Sequence, residues 1–184
     1  MIENGDVLYH GTSVDFDKID LKFCKPDKDF GFGFYATKWF DQAAKWAVKR
    51  ASSKDIGYVH EYIVKELDIS KLKCLQLLVY DKSWADYVCK CRFENYDSQG
   101  KIKHQLVYDR MADSKYTDLI KALDEYYNGI ITIEKLLEVA KFNDIRNDQY
   151  CFKDNKALKC LVKTRTAVVK RKDKKFEIEK WLIK

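Results

Sequence analysis

Two short clusters hold the residues best suited to chemistry. The first is His10-Gly11-Thr12. An imidazole gives or takes hydrogen bonds at its two nitrogens, and a hydroxyl does both. A glycine between them lets a flat polar group lie against bare backbone. The expectation is that the N–H and C=O of Gly11 pair with a carboxamide, that His10 donates to a sugar hydroxyl, and that Thr12 adds a polar contact. The competing expectation is structural, since a lone histidine on a strand commonly has its hydrogen bonds satisfied inside the fold.

The second cluster is Gly31-Phe32-Gly33-Phe34-Tyr35, with Trp46 eleven residues beyond Tyr35. Two glycines among aromatics mark a segment that something else approaches closely, because glycine removes the side chain on that face. Tyr35 at the end of a strand and Trp46 on the following helix have rings able to enclose a planar heterocycle. Each such contact contributes about 0.5–1.5 kcal/mol beyond burial. The plain alternative is core packing, and Trp39 and Phe40 are read that way.

Elements must hold these clusters in place. Residues 7–12 read as a strand ending in a glycine bend, and Phe16 and Ile19 mark an amphipathic piece beyond it. Residues 29–37 read as a second strand, with Thr37 capping a helix that runs to about Ala51 on Phe40, Ala43, Ala44 and Ala47. Strands are expected over 58–66, 75–80, 105–108, 149–152, 161–170 and 176–183. Helices are expected over 83–92, with Trp84, Tyr87 and Val88 inward, and over 115–127, where Gly129 stops the chain. A last helix follows Thr132 as its cap, burying Leu136, Leu137 and Ala140. A helical middle between strand-rich ends gives an α+β domain.

At 184 residues with 46% hydrophobic and 14% aromatic content, the chain suits one domain over residues 1–184 with a real core. No apolar run approaches the length of a membrane span, and the first residues lack the pattern of a signal peptide, so a cytoplasmic protein without a membrane partner is expected. The six cysteines form no CxxC pair and the three histidines are scattered, so free thiols and no metal are expected. The net charge of +6 is concentrated toward the C-terminus, at Lys163, Arg165, Lys170, Arg171, Lys172, Lys174 and Lys175. Such a run suits a solvated hairpin, and less often a phosphate-bearing partner.

The order His-Gly-Thr, then Gly-Phe-Gly-Phe-Tyr-Ala-Thr, then an aromatic on the next helix resembles the ADP-ribosyltransferase superfamily of His-Tyr-Glu type, which includes the poly(ADP-ribose) polymerases. The nearer likeness is to a mostly bacterial family, domain of unknown function 3990, read as ADP-ribosyltransferase-like. Its pattern is met by Tyr9-His10-Gly11-Thr12, by residues 29–37, by Gln42-Ala43-Ala44-Lys45-Trp46-Ala47 and by Gln149-Tyr150-Cys151-Phe152. The likeness spans roughly residues 7–162. Its central part is looser, with Leu106 to Asp113 keeping an echo of the family's Asp-x-Val-x-Gly-Pro-Val-Ala-Asp.

The resemblance implies a split β-sandwich of two antiparallel sheets with flanking helices, and NAD as substrate. His10, Gly11, Thr12, Gly33, Phe34, Tyr35, Trp46 and Gln149 are its implied binding residues, with His10, Tyr35 and Gln149 serving the chemistry. It also implies transfer of ADP-ribose to a macromolecular acceptor with release of nicotinamide. Gln149 stands where the superfamily places a glutamate. An amide can hold a ribose hydroxyl, but it supplies neither negative charge nor a general base. Asp148 and Asp154 are the nearby carboxylates, although Asp148 faces away from Gln149 on an extended strand, whereas Cys151 shares its face. Three alternatives stay open: a non-catalytic module for NAD or ADP-ribose, an NAD-dependent RNA-modifying enzyme, and a domain whose glycine-aromatic segment is only core.

Overall fold

The computed structural model describes residues 1–51, 56–98, 100–112, 117–140, 148–173 and 175–183, with backbone alone at Thr117. Strands are β1 (Val7–Thr12), β2 (Phe34–Ala36), β3 (Ile56–Val64), β4 (Cys74–Leu77), β5 (Leu106–Arg110), β6 (Asp148–Phe152), β7 (Leu161–Lys172) and β8 (Lys175–Ile183). Helices are α1 (Phe40–Arg50), α2 (Lys82–Phe93), α3 (Thr117–Tyr127), α4 (Ile133–Ala140) and the short α5 (Asn155–Leu158). The fold is therefore α+β, with two sheets of four strands. Contacts divide the chain into two compact units. One comprises Met1–Asp20, Tyr35–Ile69 and Asn155–Lys184, the other Leu21–Phe34 and Ser70–Asp154. No helix among the described residues is long and apolar enough to cross a membrane.

In the first unit the order β1-β3-β7-β8 is antiparallel throughout. One face of this sheet is covered by α1, whose Ala43, Ala44 and Ala47 pack on Val59, Ala167 and Val169. Small residues bring the helix so close that strand side chains must vanish beneath it. A Cβ on Gly11 would lie 2.0 Å from the Ala43 carbonyl oxygen, and one on Gly57 would lie 2.6 Å from the Ala47 carbonyl carbon. The expected capping of α1 by Thr37 is corrected. The N-cap is Trp39, because Thr37 is drawn into an extended bridge in which it exchanges both backbone hydrogen bonds with Tyr9. The Thr37 hydroxyl instead accepts from the Trp39 N–H at 3.2 Å and donates to the Gln42 side chain.

The basic C-terminal run is the expected hairpin, turning at Asp173 with φ of 44°. Much of its charge is matched internally. Arg165 grips Glu61 with two hydrogen bonds, Lys172 meets Glu177 at 2.6 Å, Arg171 donates to the Val48 carbonyl, and Lys163 reaches Asp15 at 3.6 Å. Lys174 lies outside the described residues.

In the second unit the sheet order is β2-β6-β5-β4, and the unit boundary falls within β2, between Phe34 and Tyr35. The expectation of two purely antiparallel sheets is corrected here. β4 and β5 are parallel, because the chain between them crosses over through α2 rather than turning in a hairpin. Helices α2, α3 and α4 share a core that includes Trp84, Val88, Leu119, Leu123, Leu136 and Ala140. Asp81 caps α2 by accepting from the Trp84 N–H at 2.9 Å. The Thr132 hydroxyl caps α4 at the Lys135 N–H, 3.4 Å away. Gly129 ends α3 with φ of 71°, and the bonds Gly129 N–H to Tyr126 and Ile130 N–H to Glu125 close a Schellman turn. Lys115 and Tyr116, placed in this helix by the sequence, lie outside the described residues. The segment expected as a strand over 29–37 is extended only from Phe34. Gly31 and Gly33 take φ of 74° and 155° and turn the chain before it.

Candidate functional site

His10 projects from β1 onto the face of the first sheet opposite α1. Its Nδ1 lies 2.7 Å from the carbonyl oxygen of Tyr35. A carbonyl only accepts, so Nδ1 carries the hydrogen. Burial pushes the imidazole down to about 4, the Tyr35 bond opposes this, and the charge of Arg50 adds to it. The ring is therefore neutral at physiological pH and Nε2 is its acceptor nitrogen. This corrects one expectation, that His10 would donate to a sugar hydroxyl: the tautomer fits it to receive that hydroxyl's hydrogen.

Residues that the sequence did not single out complete this face. His60 on β3 is the direct partner of His10, and their rings are parallel with centroids 6.4 Å apart. His60 is wholly buried, its Nδ1 is 2.9 Å from the hydroxyl of Thr166 on β7, and burial first, then the charges of Lys163 and His10, press it down to about 3. The Phe16 ring meets both imidazoles edge-on, at 4.3 Å from His60 and 5.8 Å from His10. Lys163 fastens that segment by donating to the Phe16 carbonyl. Thr12 Oγ1 accepts from the Val14 N–H at 3.2 Å and shapes the exit from β1.

Gly11 is explained from two sides. Its Cα hydrogens face α1, as the Ala43 contact requires. Its N–H and C=O lie along the edge of β1, in the direction that Tyr9 uses to bond Thr37, because these groups alternate along a strand. The Tyr9–Thr37 bridge is isolated, so β2 does not continue it as a ladder to Gly11. Tyr35 is half-buried. Trp46 is 39% exposed, with Lys49 Nζ 5.5 Å and Arg50 Cζ 5.7 Å from its ring. Trp39, expected in the core, is corrected: it is 37% exposed at the helix cap, while Phe40 packs with Tyr9, Phe176 and Trp181 as expected.

The first unit thus contains His10, Gly11, Thr12, Tyr35 and Trp46, with His10 and Tyr35 in direct contact and Trp46 on α1. Gly33, Phe34 and Gln149 belong to the second unit. A Cβ on Gly33 would fall 2.4 Å from Cys151 Sγ and 2.9 Å from the Phe152 carbonyl oxygen, which is the close approach its sequence context implied. Phe34 is buried. Gln149 is half-buried on β6 directly opposite Asp109 on β5. Cys151, on the same face, is a buried thiol 3.8 Å from the Phe32 carbonyl.

Of the two carboxylates that the sequence set near Gln149, Asp148 hydrogen-bonds Tyr108 and Asp154 accepts from Gln105 at 2.6 Å. Asp109, which sequence reasoning passed over, is wholly buried. Its Oδ1 accepts from the Arg110 N–H at 2.6 Å, and Oδ2 has no hydrogen-bond partner among the described residues. Burial, with Asp29 and Asp81 nearby, pushes its carboxyl up to about 9. Alternation on a short strand was the available signal: Asp109 sits between Tyr108 and Arg110, in the inward register of Val107. Among the described residues no group of three histidine, cysteine or acidic side chains is placed to hold a metal.

No curated protein and no solved structure matches the chain. A family model described as "Protein of unknown function (DUF3990)" matches residues 7–162, most of the sequence, and the chain belongs to that family.

Proposed function

We propose that this protein is an NAD-dependent mono-ADP-ribosyltransferase-like domain of split β-sandwich type, which passes ADP-ribose from NAD⁺ to a macromolecular acceptor and releases nicotinamide. The observation that carries this reading is the state of His10. A neutral imidazole, fixed by Tyr35 so that Nε2 accepts, stands beside a strand edge where Gly11 presents one N–H and one C=O. Those groups match a ribose hydroxyl and a carboxamide respectively. The exposed ring of Trp46 and the ring of Tyr35 supply aromatic faces for nicotinamide, and the family resemblance assigns Gln149, on β6 of the second unit, to a ribose hydroxyl.

In the reaction the bond from ribose C1′ to the nicotinamide nitrogen breaks, and its electron pair leaves with neutral nicotinamide. The acceptor's nucleophile bonds to C1′ and gives up a proton. The transition state is oxocarbenium-like, so catalysis depends on holding the leaving group and the ribose. Because Gln149 is neutral, a second reading is favoured by that residue alone: a module that binds NAD⁺ or ADP-ribose without turnover.

The test is nicotinamide release from NAD⁺, with and without bacterial lysate, in wild type, His10→Ala and Gln149→Ala. Release that needs His10 and rises with lysate supports the transferase. Binding that needs His10 without release supports the module. Neither release nor binding sinks both.

A further inference from the structure

We propose, on the reading of Gln149 given above, that Asp109 is its positioning residue: from β5 the Asp109 carboxyl orients the carboxamide of Gln149, its cross-strand neighbour on β6. The two are direct partners in the antiparallel β5–β6 register. Side chains so paired leave the same face of a sheet with Cβ atoms about 4.5–5.5 Å apart, within reach of one hydrogen bond. Asp109 is wholly buried, whereas Gln149 is half-exposed.

Asp109 Oδ1 is engaged by the Arg110 N–H, but Oδ2 has no hydrogen-bond partner among the described residues. Buried polar atoms are paired in the great majority of cases, so such an orphan requires a cause. A polar side chain directly across the strand, able to turn toward it, provides one. Hydrogen bonds of this kind are often unmade in the free protein and close only with ligand.

The charge state suits the role. Burial first, reinforced by the like charges of Asp29 and Asp81, outweighs the Arg110 N–H and the Arg110 charge, so the carboxyl stays in its acid form until about pH 9. A neutral carboxylic acid has one O–H to give, and the Gln149 carbonyl oxygen can take it. The amide's –NH₂ is then the end presented to a ribose hydroxyl oxygen. Without that contact the two ends of a carboxamide are nearly interchangeable, and the grip on the ribose is lost for part of the time. Acids kept neutral so that they can donate are an established device in active sites.

The experiment is calorimetric NAD⁺ binding by wild type, Gln149→Ala, Asp109→Leu and Asp109→Asn at pH 7, repeated up to pH 10, with a melting curve for each. Asp109→Leu is expected to weaken binding about tenfold, the worth of one hydrogen bond. Asp109→Asn, whose amide still donates, recovers most of that loss. Wild-type affinity falls above about pH 9 and the fall is absent in Asp109→Asn. If Asp109→Leu does not fold, the Asn variant and the pH profile decide. Wild-type affinity in Asp109→Leu, an Asn variant as weak as the Leu variant, or an alkaline fall that persists in Asp109→Asn each overturns the proposal. Loss in Gln149→Ala beside intact Asp109→Leu overturns only this inference, whereas no binding by wild type overturns the reading beneath it as well.

Discussion

Lys153 and Asp97 form an ion pair of 3.2 Å with both side chains wholly buried. Lys153 also donates to the carbonyls of Phe30 and Asp97, and Asp97 accepts from Tyr87, His104 and the Lys103 N–H. The pair therefore ties the end of β6 to the glycine-aromatic segment and to α2. Removing one partner leaves the other charge buried, which costs about 3–5 kcal/mol. Lys153→Met should lower the unfolding free energy from urea titration by that amount, far more than Lys135→Met, which removes an exposed pair with Glu138. Equal effects from the two would show that the buried pair is not holding the fold.

The same pair predicts acid sensitivity. Burial alone would raise the Asp97 carboxyl, but His104, Lys153 and the backbone N–H groups outweigh it and hold it well below the usual carboxylate range. A carboxyl depressed on folding stabilises the protein above its unfolded value, near 3.9, and that contribution is lost as pH falls toward the folded value. Wild type should lose stability steeply below about pH 4. In Asp97→Asn the slope should be shallower, and parallel slopes would contradict the assignment.

Gly11→Ala tests why the His-Gly-Thr cluster contains a glycine. If Gly11 serves only a ligand, an added methyl leaves stability alone and weakens binding. The Ala43 carbonyl 2.0 Å from the new carbon predicts a different result, a loss of about 3 kcal/mol or more as α1 is forced off the sheet. Gly100→Ala is the control. It meets nothing within 4 Å and is strained only by its φ of 82°, at about 1–2 kcal/mol. Similar melting temperatures for the two variants would sink the packing explanation.

Periodicity and turn chemistry made most elements legible. β1, α1, α2, α4 and the β7–β8 hairpin fall where alternation, alanine spacing and capping residues put them. What the sequence hid was long-range pairing. Thr37 has every property of an N-cap, yet its bridge to Tyr9 moves the cap to Trp39. The parallel β4–β5 pair follows from the crossover through α2, a strand–helix–strand order already legible at 75–80, 83–92 and 105–108 that the expectation of purely antiparallel sheets left unused. His10, Gly11 and Gly33 were legible because their neighbours in sequence are unusual. His60, Thr166, Lys153 and Asp109 were not, because each acts through a partner more than 30 residues away or across a strand register.

Asp109 offers a stability test independent of any ligand. Its carboxyl is pushed up to about 9 on folding. The fold therefore favours the proton, and stability falls as pH rises from about 4 toward 9 while the unfolded chain ionises freely. Asparagine has the same shape and keeps an acceptor for the Arg110 N–H, but it does not titrate. Asp109→Asn should match wild type near pH 4 and exceed it increasingly as pH rises to 8, at about 1.4 kcal/mol for each pH unit. A constant difference across that range would mean that Asp109 is not held as an acid.

His10 makes the last prediction, and it separates a built tautomer from an ordinary surface histidine. Burial holds the ring neutral down to about 4, against an ordinary value near 6.5. An imidazole depressed on folding favours the neutral form, so its contribution is complete above 6.5 and lost as pH falls toward 4. NAD⁺ affinity should therefore be flat from pH 8 to about 5.5, with Nε2 an acceptor throughout, and decline only below that. Ring-carbon chemical shifts should show the Nδ1–H tautomer that the Tyr35 carbonyl requires. An inflection in affinity between pH 6 and 7 that disappears in His10→Ala would show the ring titrating freely, and the assignment of Nε2 to a ribose hydroxyl would fall with it.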